Sequence, residues 1–188
     1  MISAILLAAG QSKRMVGENK LTKELLGTPL IKHSVKNILS SVIDELIVVV
    51  GHQKEIIEKL IDKNKKIKIV FNKDFESGIA SSIKTGLNHL SKKTEYFFIC
   101  LGDMPLINHN IYNQLILSKK NNEIIVPFYK KKQGNPVLFS ISMKEKIMKI
   151  DGDIGAKKIL KLNENKIFKL DTSDQSITVN FNTKSSFT

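Results

Sequence analysis

The chain has 188 residues, 41% of them hydrophobic and 26% charged, which suits one soluble domain with a sizeable core. A single cysteine, Cys100, excludes a disulfide framework and makes a reducing cytoplasm the simplest setting, and no apolar run is long enough for a leader segment or a membrane span. The formal charge of +12 is scattered along the whole length without interleaved aromatics, so it points to solvated lysine-rich faces and small polyanionic substrates rather than to nucleic acid.

The first strand is predicted over Ser3–Leu7, an unbroken apolar run of the kind a strand buried on both faces needs. It stops at Ala8-Ala9-Gly10, and a polar, basic loop follows with Ser12, Lys13, Arg14, Gly17 and Lys20. Small residues let a backbone approach a ligand closely, and turned N–H groups can face a phosphate. Arg14 is the only arginine among 30 basic residues, and its guanidinium offers a planar fork for phosphate that lysine lacks. Pro29 then opens a helix marked by Leu30, Ile31, Val35, Ile38 and Leu39. Glu45–Val50 reads as a second buried strand, Ile56 to Ile61 as a helix, and Lys66–Phe71 as a third strand. Ser77-Gly78 begins a helix with Ile79, Ile83 and Leu87 on one face. Glu95–Leu101 is a fourth strand that ends at Gly102-Asp103, followed by a helix over Asn110–Lys119 and a fifth strand over Glu123–Pro127.

Beyond this point the pattern changes. Gly134-Asn135-Pro136 is a turn and Val137–Phe139 a short strand. Ile141–Ile150 and Ile154–Leu162 read as two helices, broken by Asp151-Gly152-Asp153. Lys166–Leu170 and Ile177–Phe181 read as a closing pair of short strands, and the polar tail from Lys184 as a frayed end.

Alternating strands and helices imply a three-layer α/β/α, Rossmann-like fold with a mostly parallel sheet and right-handed crossovers. Such sheets bind ligands beyond the carboxyl ends of their strands, where the strand order reverses. If the order begins third, second, first, fourth, the basic loop after Leu7 and the Gly102-Asp103 turn share one crevice. Arg14 and Lys20 then supply positive charge for phosphates. Asp103 supplies a hard carboxylate for Mg2+, which is commonly held by one or two carboxylates plus substrate phosphates.

Leu7-Ala8-Ala9-Gly10-Gln11-Ser12-Lys13-Arg14-Met15 resembles the signature loop of nucleotidyltransferases with the nucleotide-diphospho-sugar transferase fold. Gly17-Glu18-Asn19-Lys20 continues that pattern, displaced by one inserted residue, Val16. Leu101-Gly102-Asp103-Met104-Pro105-Leu106 is similar to the molybdenum cofactor (molybdopterin) nucleotidyltransferase branch. The resemblance implies transfer of a nucleoside monophosphate from CTP or GTP to the phosphate of molybdopterin or the molybdenum cofactor. It implies catalytic roles for Arg14, Lys20 and Asp103, with Mg2+ on Asp103. Leu7, Ala8, Ala9, Gly10, Ser12, Asn72, Gly78, Ser81 and Ser82 would lie near the nucleotide, Asn72 by position only. Gly134, Asn135, Pro136, Gly152 and Asp153 would face the pterin.

The sequence departs from the branch in its C-terminal segment. Asn180 and Asn182 stand where cytidylyltransferases usually carry a metal-assisting aspartate, which makes Asn182 the second metal candidate and pulls toward GTP. The Ala8-Ala9-Gly10 loop favours CTP. A nucleotidyltransferase acting on another phosphate, such as a sugar phosphate or methylerythritol phosphate, and a non-catalytic basic module that holds the cofactor or nucleic acid for a partner remain the alternatives; the resemblance also implies a recipient molybdenum enzyme as partner.

Overall fold

The computed structural model describes residues 1–12, 19–153, 155 and 157–182. Strand β1 (Ile2–Ala8) is buried along its whole length. A small hairpin of β2 (Glu24–Leu25) and β3 (Thr28–Pro29) precedes α1 (Leu30–Leu39), and the chain then alternates through β4 (Glu45–Val50), α2 (Lys54–Leu60), β5 (Ile67–Phe71), α3 (Ile79–Asn88) and β6 (Tyr96–Leu101). There follow α4 (His109–Leu117), β7 (Ile124–Tyr129), β8 (Lys132–Gln133), β9 (Val137–Ser140), α5 (Lys144–Ile147), α6 (Lys157–Leu162) and β10 (Ile167–Asp171).

The main sheet runs β10-β7-β9-β6-β1-β4-β5, with β8 paired to β7. β1 lies parallel to both β4 and β6, and β4 parallel to β5, so the first four long strands stand in the predicted order. β9 runs against both β6 and β7, which makes the sheet mixed. The connection through α3 carries the chain from β5 at one edge to β6 on the other side of β1. That reversal opens a crevice at the carboxyl ends of β1 and β6.

Alternate residues of β1 feed two cores. Ala4 and Leu6 face α1, α2 and α4, whereas Ile5 and Leu7 face α3, α5 and α6. The α3 side is tight, because a Cβ on Gly86 would come within 2.4 Å of Ile5 Cγ2. At the two sheet edges lysines cover aromatic rings. Lys54 Nζ is 4.2 Å from the Phe71 ring centroid beside β5, and Lys169 Nζ on β10 is 5.4 Å from that of Phe128. Among the described residues no helix is long and apolar enough to cross a membrane.

Two expectations are corrected. Ile177–Phe181 is not a strand: Gln175–Thr178 forms a 3-10 turn, and β10 pairs alone with β7 on that edge. Asp174 and Ser176 offer the backbone a local alternative, since the Asp174 carboxylate accepts from Ser176 N at 2.8 Å. Ile177 still packs, fully buried, against Gly134. The predicted helix over Ile141–Ile150 shortens to a Ser140-capped 3-10 turn and the four residues of α5. The second, predicted from Ile154, runs from Lys157 in the structure, and Ile154 lies outside the described residues.

Cys100 is buried on β6, and burial pushes its thiol up to about 12, only partly offset by a hydrogen bond with Tyr112. A disulfide reagent at pH 8 is therefore expected to leave the native thiol unmodified and to label it promptly in denaturant. Rapid labelling of native protein would contradict this packing.

Candidate active site

Three stretches far apart in sequence meet at the carboxyl ends of β1 and β6. Gly102 N donates to Leu7 O at 3.1 Å and joins the two strand ends. Ser34 Oγ, on α1, donates to Gly102 O at 3.1 Å. Phe181 N donates to Asp103 O at 2.9 Å and draws the C-terminal segment across the strand end. Asp103 is thus fixed from three sides and nearly buried, with its residue 8% exposed.

Lys20 approaches from the loop after β1. Asn19 caps the 3-10 turn Lys20–Thr22, its side chain accepting from Leu21 N at 3.1 Å. Lys20 N donates to Ser12 Oγ at 3.0 Å, and the Leu21 side chain is buried beneath. With the backbone held, the Lys20 ammonium donates to Asp103 Oδ2 at 2.6 Å and to Asn182 Oδ1 at 2.8 Å. Lys20 and Asp103 line a cavity of about 470 Å³, whose wall also includes Gly10, Gln11, Gly78 and Ser82. Gln11 Nε2 donates to Glu76 Oε1 at 2.9 Å, linking the loop after β1 to the segment before α3.

The predicted nucleotide-side residues divide by role. Leu7, Ala9, Gly10, Lys20, Gly78, Ser82 and Asp103 line the cavity. Ala8 belongs to the opposite core. Ser12 stands behind, holding Lys20 N. Asn72 is buried, and its side chain is engaged: Nδ2 donates to Ser81 Oγ and Ser82 Oγ at 2.8 and 3.0 Å, and Oδ1 accepts from Asp74 N at 3.0 Å. Asn72 and Ser81 therefore organise the start of α3. Arg14 and Val16 lie outside the described residues.

Of the predicted pterin-side residues, Asp153 lines this cavity. Gly152 O accepts from Ala80 N at 3.1 Å, and Asp153 Oδ1 from Ile79 N at 3.3 Å. Both contacts fasten the segment 151–153 to the N-terminus of α3, where negative charge is favoured. Lys84 adds an ion pair with Asp151 at 2.6 Å, and this hydrogen bond holds the exposed Asp151 carboxyl below its usual range. Asp153 borders the first cavity and also a second, of about 360 Å³, to which Asn135, Asn180 and Lys132 contribute. Gly134 and Pro136 shape the turn before β9, with a cis peptide between Asn135 and Pro136. Gln11, Glu76 and Lys132 escaped the sequence reading, because only the folded sheet brings them to the cavities.

Among the described residues no three of His, Cys, Asp and Glu cluster as a metal site. Asp103 Oδ2 and Asn182 Oδ1 nevertheless converge on one cationic atom, the Lys20 ammonium. One carboxylate and one amide oxygen aimed at a single positive centre suit a hard cation that takes its other ligands from phosphates and water.

The probable molybdenum cofactor guanylyltransferase of Methanosarcina acetivorans is 28% identical over 153 residues, 79% of this chain and 67% of that protein. The molybdenum cofactor cytidylyltransferase of Escherichia coli is 30% identical over 139 residues, 74% of this chain and 70% of its own. The chain spans only 25% of a third relative, the bifunctional protein GlmU of Staphylococcus epidermidis, at 28% identity over 114 residues, 60% of this chain. Rv0371c of Mycobacterium tuberculosis superposes with a TM-score of 0.88 and 21% identity over 99% of this chain and 95% of its own. A second structure of that protein, in complex with manganese, gives a TM-score of 0.76 and 19% identity over 91% and 87%. The fold is the α/β nucleotide-diphospho-sugar transferase fold, with a mixed, mostly parallel sheet. The model of the MobA-like NTP transferase domain matches residues 4–169, from the heart of β1 to β10, and through the loop, sheet and crevice described above the chain belongs to that family.

Proposed function

We propose that the site moves a nucleoside monophosphate from CTP to the phosphate of molybdopterin or the molybdenum cofactor. The observation that carries this reading is the bridge from Lys20 to Asp103 and Asn182, set where a small-residue loop and a second, asparagine-bearing cavity adjoin. An oxygen of the acceptor phosphate forms a bond to the α-phosphorus, the bond from that phosphorus to the bridging oxygen breaks, and pyrophosphate leaves. A phosphate nucleophile is already ionised near neutral pH, so no strong base is required. The protein contributes positioning and charge neutralisation.

The Gly10 and Gly78 backbones leave room for the triphosphate, and Lys20 and Arg14 bind its oxygens. Asp103 and Asn182 would hold Mg2+, which when bound supplies further neutralisation of phosphate charge. Asn135, Asn180 and Asp153 line the acceptor's side. The Ala8-Ala9-Gly10 loop supports CTP, whereas Asn180 and Asn182 favour GTP, and relatives of both kinds match the chain. The loop supports CTP as the nucleotide, and the Lys20–Asp103–Asn182 bridge supports metal-dependent transfer. The product would pass to a recipient molybdenum enzyme.

The deciding assay measures pyrophosphate release by the purified chain with molybdopterin, Mg2+ and either CTP or GTP. Faster release with CTP is expected. Faster release with GTP reverses the choice of base. Release with a sugar phosphate but not with molybdopterin refutes the acceptor.

A further inference from the structure

Lys20 holds the very oxygens a metal would need. Its ammonium lies 2.6 Å from Asp103 Oδ2 and 2.8 Å from Asn182 Oδ1, with the Lys20 and Asp103 side chains 21% and 11% exposed. A divalent ion seated where those two oxygens converge would take the ammonium's own place, and two cations that close repel strongly in a site largely shielded from water. We propose that Lys20 and the divalent metal are alternate occupants of one cation position, so that metal loads together with nucleotide and only weakly alone. The inference rests on the nucleotidyl-transfer reading and adds a linkage to it.

Three observations support the exchange. First, the Lys20 main chain is anchored by Ser12 Oγ, by the Asn19 cap and by buried Leu21, so the part free to relocate is the flexible four-carbon stem. Second, Lys20 lines the cavity of about 470 Å³, which also reaches Gly10, Gln11 and Gly78. A displaced ammonium therefore has somewhere to go within its own cavity. Third, among the described residues the Lys20–Asp103 pair balances its own charge without metal: one carboxylate faces one ammonium, and position 182 is an amide rather than a second carboxylate. An ion arriving alone must strip the ammonium from Asp103 and leave it beside a new positive charge. Triphosphate oxygens in the cavity give that ammonium another anion, and their charge also draws the metal. Linkage then requires nucleotide to tighten metal binding by the same factor as metal tightens nucleotide binding.

The test is Mn2+ binding to the intact chain without nucleotide, followed through the electron paramagnetic resonance of the free ion. Wild type is expected to bind weakly. Lys20→Met should bind Mn2+ at least about tenfold more tightly, since the competing cation is gone. Lys20→Arg, which keeps a cation, should show no such gain. Calorimetric titration with an α,β-methylene CTP or GTP analogue should show a metal dependence of nucleotide affinity that shrinks in Lys20→Met. Unchanged or weaker Mn2+ binding in Lys20→Met overturns the exchange, as does tight binding by nucleotide-free wild type. If Lys20→Met does not fold by circular dichroism, Lys20→Gln removes the charge and is read the same way. Asp103→Ala, titrated with Mn2+ in the presence of the nucleotide analogue, separates the two ideas: Mn2+ binding unaffected by that change removes the metal from this site and defeats the metal-dependent transfer reading itself.

Discussion

Asp103→Ala is expected to reduce turnover by roughly 10²- to 10³-fold, the usual cost of removing a group that stabilises charge in a transition state. Among the described residues its carboxylate is the only one bonded to Lys20, and the Asn182 amide oxygen cannot replace its charge. The fold should survive, because Phe181 N and Gly102 N bond to main-chain oxygens, which the substitution leaves in place. Pyrophosphate release measured beside a thermal melt separates the two effects. Near-normal turnover in a folded variant would remove Asp103 from the chemistry.

Gly78→Ala should damage the site through the backbone. Gly78 has φ of +110°, a conformation open in practice to glycine alone, and an added Cβ would come within 2.6 Å of the Gly152 carbonyl carbon. Neither neighbour is the end of a flexible side chain, so the contact cannot be relieved by a rotamer change. Strain and overpacking together suggest a loss of about 2 to 4 kcal/mol, or a fall in Tm on the order of 5 to 15 °C for a chain of this size. The alternative relief is to push the segment 151–153 off α3, breaking the bonds from Ile79 N and Ala80 N. Either way, differential scanning fluorimetry and pyrophosphate release should both register the change, and a variant with wild-type values in both would show the close approach to be unimportant.

Much of the sheet was legible because its strands are apolar runs that stop at small or polar residues. Ser3–Leu7, Glu45–Val50 and Glu95–Leu101 needed no help from tertiary contacts, and their order followed from crossover geometry. The meeting of Lys20 with Asp103 was legible for the same reason: both follow strands that the topology makes neighbours. Other features were settled by contacts between distant residues. Ile177 alternates with polar neighbours as a strand residue would, yet Asp174 turns the backbone and Ile177 packs on Gly134. Asp153 read as part of a break between two helices, and its carboxylate meets a helix amide of α3, Ile79 N, more than 70 positions earlier in the chain. Asn72 sat at a strand end as a base contact would, and the fold engages its amide with Ser81 and Ser82 instead. Spacing along the chain carried none of this information.

The lysines over the edge strands bear on how this protein behaves in a crowded solution. Among the described residues β5 and β10 end the sheet with no further strand beside them, and each carries a partly exposed aromatic, Phe71 at 46% and Phe168 at 41%. Such edges invite strand-to-strand association between molecules. Exposed Lys68 and Lys169 lie within those strands, and a net charge of +12 keeps like molecules apart. The abundant lysine therefore acts as colloidal protection for a sheet with two open margins, and that protection weakens as added salt shortens the range of the repulsion.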